Sequence, residues 1–591
     1  MKIQILVGLL IFGATSFAQQ APPAWVARSN QDAKVLLDVQ ARFNPEAAAQ
    51  QGVEGVDDKV IDLGPNINQR QRAALSEARA QLEKALAAEQ EPNVREDLQI
   101  MIDRANLQIK GIELEEKYEV PYFNAGGILY RGIHALLDDQ IAGGRRPAAL
   151  ERLKKYAGVE PGTTPLVTEA EQRTTEKLSD KELMGPYRGE VEQDLSNLPT
   201  YISGVEKLFA KYKIAGYEEP LAKLKQQLNE YGDFIRAKVL PRARTGFQLP
   251  PEVYAYRLQQ VGVDIPPEQL TAIAHDYFNE IQSEMMTLAP VVAKQKGYAV
   301  TDYRDVIKEL KKDQWAGDAI MPNYEKRVGE IEKIIHDEHL VTLPERPLKI
   351  ELASEAETAQ QPAPHMRAPR LIGNTGESGV FVLPLRIPPP PGQKADPSQQ
   401  YDDFTFDAAA WTLTAHEGRP GHELQFDSMA QNGVSIARAI FAFNSVNAEG
   451  WGLYSEAILK PFMPPDGQLI SLQHRLMRAA RAFVDPELQS GKLTPEQAKD
   501  VLMKDVSLSE ALANEEVQRY MYRAPGQATS YFYGYLQLMK TRSAAEKALG
   551  PKFNQEKYHD FIIAQGLLPP ELQRKAVMEQ FVPSQDQGAA K

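Results

Sequence analysis

Apolar residues recur at helical spacing through the N-terminal half of the chain. Leu75, Ala78, Leu82 and Leu86 share one face of a predicted helix, and Val94, Leu98, Met101, Ala105 and Ile109 share one face of the next. This is the i, i+3/i+4, i+7 rule of an amphipathic helix. A third stripe, Leu221, Leu224, Leu228, Tyr231, Ile235 and Val239, runs up to Pro241, where a missing N–H and a bulky ring end a helix. Such stripes are core positions and carry no ligand role. From Val341 to Ile387 the pattern changes to short apolar runs, including Leu348 to Leu352 and Val380 to Leu383, set apart by proline and glycine; that is strand behaviour. Pro388 to Pro391 and the polar residues up to Gln400 read as a surface loop, and Phe406 to Ala415 opens a further helix. The pattern predicts a mostly α-helical protein with a small β-sheet just ahead of the Phe406 helix. An open edge of that sheet could pair with an extended peptide, or the strands could serve only as a cover.

Composition narrows the class. The chain has 591 residues, 43% hydrophobic and 25% charged, the profile of an ordinary folded protein with ample material for a core. Proline-rich connections at Pro161 to Pro165 and Pro250-Pro251 are too short to be interdomain linkers, and no internal repeat is evident. A net charge of −13 with no Lys/Arg cluster argues against a nucleic-acid partner, which would call for a basic face. Lys2, the apolar run from Ile3 to Phe12 and the small-x-small Ser16-Phe17-Ala18 describe a secretory signal peptide over residues 1–18, cleaved near Ala18. The expectation is an exported chain of residues 19–591, periplasmic or secreted. With no cysteine it has no residue for lipid attachment and no disulfide. The apolar run is too short to span a bilayer and no other stretch is long and apolar enough, so no integral membrane association is expected. Oligomeric state is not readable.

The chemistry concentrates in W-T-L-T-A-H-E-G-R-P-G-H-E-L-Q-F, Trp411 to Phe426. Two imidazoles, His416 and His422, with the Glu417 carboxylate beside the first, are the parts of a zinc hydrolase site: nitrogen ligands for Zn²⁺ and a base for water. The common helical version, H-E-x-x-H, puts its histidines at i and i+4. Here the second comes at i+6, about 120° round an undistorted helix, so sharing one ion requires the backbone to change course. Pro420-Gly421 supplies the means. His422 is therefore the expected second ligand. Its rival is Glu423 at i+7, which an unbroken helix would bring back to within about 20° of His416. Downstream, N-A-E-G-W-G-L-Y-S-E from Asn447 to Glu456 offers Glu449 as third ligand, completing a His₂Glu set that leaves a position open for catalysis. Glu456, seven residues on, falls near the same helix face and is placed to orient a ligating imidazole from behind. His336-Asp337-Glu338-His339 is a rival cluster, but no third ligand follows and its neighbours are charged; a solvated helix end accounts for it.

H-E-G-R-P-G-H followed by E-G-W-G-L-Y resembles the bacterial domain-of-unknown-function family 885, a relative of the gluzincin metallopeptidases. Arg519-Tyr520, Pro525-Gly526-Gln527-Ala528, Ser530-Tyr531 and Gly534 resemble its C-terminal pattern, as does the run around Phe553, His559-Asp560, Gly566 and Pro569. These motifs cover roughly the last third of the chain. Two departures stand out: Glu423 replaces a second histidine often found after P-G-H, and Phe532 and Tyr533 replace a polar-apolar pair. The resemblance implies one large helical metallopeptidase in two lobes, with an N-terminal helical lobe over about 19–300, a catalytic part over about 301–591, and the small sheet beside the zinc helix. It also implies a phenol that stabilises an oxyanion, for which Tyr531 is the first candidate, with Tyr535 and Tyr533 behind it and Arg519 close by. The implied activity is zinc-dependent hydrolysis of short peptides with Glu417 as general base. The same parts would serve an amidase or esterase acting on a non-peptide substrate. A non-catalytic helical binding protein is the other alternative.

Overall fold

Helices make up most of the chain, and their buried faces are the predicted stripes. The structure, a computed structural model, describes residues 23–387, 396 and 399–587; the signal-peptide segment and the Pro388 to Pro391 loop lie outside the described residues. Helices Ala24–Phe43, Ile67–Ala88 and Pro92–Tyr118 pack together. Leu75, Ala78 and Leu82 on the second, and Val94, Leu98, Met101 and Ala105 on the third, are buried between them, with Leu86 and Ile109 at the margin. Asp97, fully buried, ties this layer to the C-terminal part by accepting from Ser29 Oγ and Ser435 Oγ, both at 2.6 Å, and from Arg438 Nε at 2.8 Å. The third stripe is buried as well. Its helix, Glu218–Phe234, runs into a wider turn over Ile235–Val239 and a short Leu240–Arg242 turn that contains Pro241.

The largest core is built around helix Pro465–Gln489, which is buried on nearly every face. A helix buried all round belongs at the centre of a large body, and this one packs against helices Pro267–Lys296, Asp407–Leu413 and Thr529–Leu549. The sheet has three strands: β1 (Lys349–Leu352), β2 (His365–Arg367) and β3 (Val380–Leu383). β3 lies in the middle, parallel to β1 and antiparallel to β2. It is buried along its whole length, which explains its unbroken apolar run. The sheet leans on the segment that holds the candidate chemistry: a Cβ on Gly418 would lie 2.7 Å from Leu348, and one on Gly379 3.0 Å from Glu423. Among the described residues no helix is long and apolar enough to cross a membrane.

Candidate metal centre

The helix Asp407–Leu413 widens into a π-helical turn at Thr414–Gly418 that carries His416 and Glu417. Arg419 is then extended, Pro420 follows through a cis peptide, and a second helix starts at His422. The two histidines therefore sit on separate helices. Gly421 is required here because a Cβ would stand 1.9 Å from the His416 carbonyl oxygen. The break brings the imidazoles edge to face, with ring centroids 4.7 Å apart and planes at 84°.

Glu449, on helix Ser445–Leu459, faces both rings. Its Oε2 is 3.1 Å from His422 Nε2 and 3.5 Å from His416 Nε2. One donor atom from each of the three residues can be chosen within 4.8 Å of the others. A tetrahedral zinc with bonds of about 2.0–2.1 Å has ligand–ligand edges of about 3.3 Å, so the spacing and chemistry of these donors fit the ion. Burial opposes ionisation of Glu449, but hydrogen bonds and charge from the two histidines outweigh it and hold its carboxyl well below the usual range.

Glu456, two turns further on, accepts from His416 Nδ1 at 2.7 Å and from Thr412 Oγ1 at 2.5 Å. With Nδ1 carrying the proton, the Nε2 lone pair is left facing Glu449. Burial raises the Glu456 carboxyl, but Arg478 and His416 bring it down to about 2. Glu417 is treated oppositely: burial pushes it up to about 8, with His422 and Arg478 opposing and Glu449 and Glu456 adding. Three carboxylates within two short segments thus have distinct proton affinities set by their surroundings. Glu423 is engaged elsewhere. Completely buried, it accepts from Arg419 Nε at 2.8 Å and Nη2 at 3.1 Å, while Arg419 Nη1 also donates to Glu332 at 2.6 Å.

The Tyr531 ring stacks over His416 at 5.9 Å, and its hydroxyl accepts from Arg519 Nη2 at 3.0 Å. Arg519 also donates to Gln527, whose amide reaches Glu449 Oε1 at 3.4 Å. Tyr533 and Tyr535 point elsewhere: the former donates to Asp264, and the latter lies against Arg475. His336 and His339 are solvated, with side chains 81% and 75% exposed. The sequence reading missed His474, Arg478 and Arg481, which line a small space together with His416 and Glu417. The only signal was their spacing, at i, i+4 and i+7 on one helix face. A cavity of about 1040 Å³ is walled by residues between Phe43 and Val261 and by Met521 to Gln527, the last of which touches Glu449.

A buried pair of histidines and a glutamate, backed by a carboxylate and set in a large helical body, has the makings of a metal site. The chain belongs to the family described as "Bacterial protein of unknown function (DUF885)", which matches residues 45–577. A protein from Colwellia psychrerythraea described as a lipoprotein has the same fold, with a TM-score of 0.71 at 18% identity over 94% of this chain and 99% of that one. Another from Shewanella oneidensis, described as a lipoprotein of unknown function, gives 0.69 at 17% identity over 94% and 100%. A Bacillus anthracis protein described as an oligoendopeptidase F reaches a TM-score of only 0.28 at 11% identity over 88% and 96%. No curated protein matches the chain.

Proposed function

We propose that the protein is a zinc-dependent peptidase in which His416, His422 and Glu449 hold Zn²⁺ and Glu417 is the general base. The convergence of both Nε2 atoms on one Glu449 oxygen, at 3.1 and 3.5 Å, carries this reading. A zinc ion held there supplies a Lewis acid that polarises a carbonyl and acidifies water. Glu417 neighbours His416 on the same turn and lines the same pocket, so its carboxylate accepts the proton of an attacking water and delivers it to the leaving amine. Glu456 fixes the tautomer and orientation of His416. Tyr531, hydrogen-bonded to Arg519, is the donor we assign to the developing oxyanion.

Access sets the substrate. His416, Glu417 and His422 are each less than a tenth exposed, and Gln527, which lines the large cavity, is hydrogen-bonded to Glu449. A buried site entered through a cleft between two lobes, the gluzincin-like plan, admits short, extended peptides and excludes folded proteins. Metal analysis of purified protein together with a peptide-library digest tests the proposal. About one zinc per chain with chelator-sensitive cleavage of short peptides is expected. Absence of zinc, or stoichiometric zinc with no turnover on any peptide, overturns it; the second outcome would favour a binding protein or an amidase or esterase acting on other substrates.

A further inference from the structure

Helix Pro465–Gln489 sends three basic side chains, His474, Arg478 and Arg481, into the space beside His416 and Glu417, where Arg519 joins them from helix turn Arg519–Arg523. His474, Arg478 and Arg481 are only 6%, 5% and 4% exposed. Among the described residues, Arg478 Nε, Arg481 Nη1 and His474 Nδ1 are buried with no hydrogen-bond partner. All three guanidinium groups crowd over one ring, Tyr531, at 5.6, 4.5 and 5.3 Å from its centroid for Arg478, Arg481 and Arg519.

The acids around them do not balance this charge. Glu516 grips Arg481 through two hydrogen bonds, at 2.7 and 2.5 Å, and lies 3.4 Å from Arg519. Glu456 is 3.6 Å from Arg478 but is already shared with His416 and Thr412. Asp403, on the opposite wall, is neutralised by Lys311 at 2.6 Å. Burial pushes Glu515 up to about 7, aided by Glu516. Among the described residues, Glu516 and Glu456 are the acids at ion-pair distance from the three arginines, and uncompensated buried charge is costly. The arginines outnumber their acids next to the reactive centre.

We propose that Arg478, Arg481 and Arg519 receive the free C-terminal carboxylate of the peptide, making the protein a C-terminal exopeptidase. This rests on the zinc-peptidase reading above and names the substrate class of that site. The free space, about 40 Å³, suits a group of a few atoms, given that a single water needs roughly 10–15 Å³ on the same measure. Planar guanidinium groups match a carboxylate fork to fork. Because the space is walled by His416 and Glu417 themselves, a carboxylate seated there lies close to the bond being cut. At about 3.8 Å per residue, one or two residues separate them.

The test compares one short peptide as the free acid and as the C-terminal amide, cleaved by zinc-loaded wild type. The acid should be favoured at least tenfold in kcat/KM, with release of the last one or two residues. Arg478→Gln should abolish the preference, read as the ratio of acid to amide kcat/KM within that variant, while Arg478→Lys retains part of the preference. Equal cleavage of acid and amide, cleavage at interior bonds, or a preference that survives in Arg478→Gln would discard the carboxylate receptor and leave the peptidase standing. If no peptide is cut at all, the peptidase reading fails by itself. Calorimetry on Glu417→Gln then decides the receptor: binding of the acid but not the amide keeps it, and equal binding or none removes it.

Discussion

Gly450 and Gly534 meet backbone to backbone where helices Ser445–Leu459 and Thr529–Leu549 cross: a Cβ on either would lie 2.7 Å from the Cα of the other. Glu449 immediately precedes one glycine, and Tyr531 lies almost a turn before the other, so this contact sets the distance between a proposed ligand and a proposed oxyanion donor. A methyl group on Gly534 would also stand 2.0 Å from the Val446 carbonyl oxygen. Gly534→Ala should force the helices apart and destabilise the protein by about 1–3 kcal/mol, the range for overpacking, with weaker zinc retention. Thermal unfolding with and without zinc measures both effects; an unchanged Tm would show that the crossing can open freely.

Gly452 faces the His416 ring, and a Cβ there would fall 2.7, 2.8 and 3.0 Å from Cε1, Nε2 and Nδ1. Gly452→Ala should therefore displace the imidazole from between Glu456 and Glu449. The expected outcome is a helical protein by circular dichroism with strongly reduced zinc content by elemental analysis. Full occupancy in that variant would mean His416 is dispensable for the metal.

Glu417→Gln should keep zinc and lower kcat by roughly 10²–10⁴, the usual contribution of a positioned proton acceptor. Tyr531→Phe should lower kcat with little change in KM and none in zinc content. Loss of metal from the Glu417 variant would move that carboxylate from proton transfer to coordination.

Glu449→Ala should lose both zinc and activity. Glu423→Gln should retain zinc yet unfold at lower temperature, because Arg419 then keeps only Glu332 as an ionic partner; a cost of about 1–3 kcal/mol follows from weakening a buried charged hydrogen bond. Zinc analysis of the two variants side by side checks this, and the reverse pattern would make Glu423 the ligand.

Asp485 accepts from Tyr254 OH at 2.9 Å and from the Gly526 N–H at 2.8 Å. Burial nonetheless pushes its carboxyl up to about 8, against the help of those donors. An unfolded aspartate titrates near 4, so between about pH 4 and pH 8 the folded state holds a proton that the unfolded state releases. Stability from this group is complete below about pH 4 and declines as pH rises through 8, by on the order of a few kcal/mol. Glu190 and Glu515, raised by burial to about 7, add to the same slope. Asp485→Asn should flatten it, as read from denaturant midpoints across pH 4–9; an identical slope would mean Asp485 is ionised throughout.

The helical stripes were readable because each is a one-dimensional record of a buried face; Leu75, Leu98 and Leu224 need no partner to be recognised. β3 showed itself through its apolar run, whereas β2, the tripeptide His365–Arg367, carries no period that could reveal it. His416, His422 and Glu449 could be nominated from type and spacing, with Pro420-Gly421 as the hint that a regular helix would not do. Spacing also put Glu456 behind an imidazole, where it accepts from His416; what it could not supply is that Arg419 occupies Glu423 and that Tyr533 turns to Asp264. The arginines of helix Pro465–Gln489 were hidden for a related reason. A basic residue in a helix sequence ordinarily marks the solvent side, and only tertiary packing shows that this helix has none.

The widened turn at Arg519–Arg523 has a counterpart at Thr414–Gly418, and each is the closing turn of its helix, wound more loosely than the turns before it. A looser last turn shifts the phase of the residues it carries relative to the helix that leads into it. Deleting one residue from either turn would let the helix close in its ordinary form, so such shortened chains should still fold while facing Arg519, or His416 and Glu417, away from their neighbours. The two halves of this centre are thus held in phase by these looser turns, and gain or loss of a single codon is the step by which a chain of this fold could acquire or abandon its chemistry without exchanging one side chain.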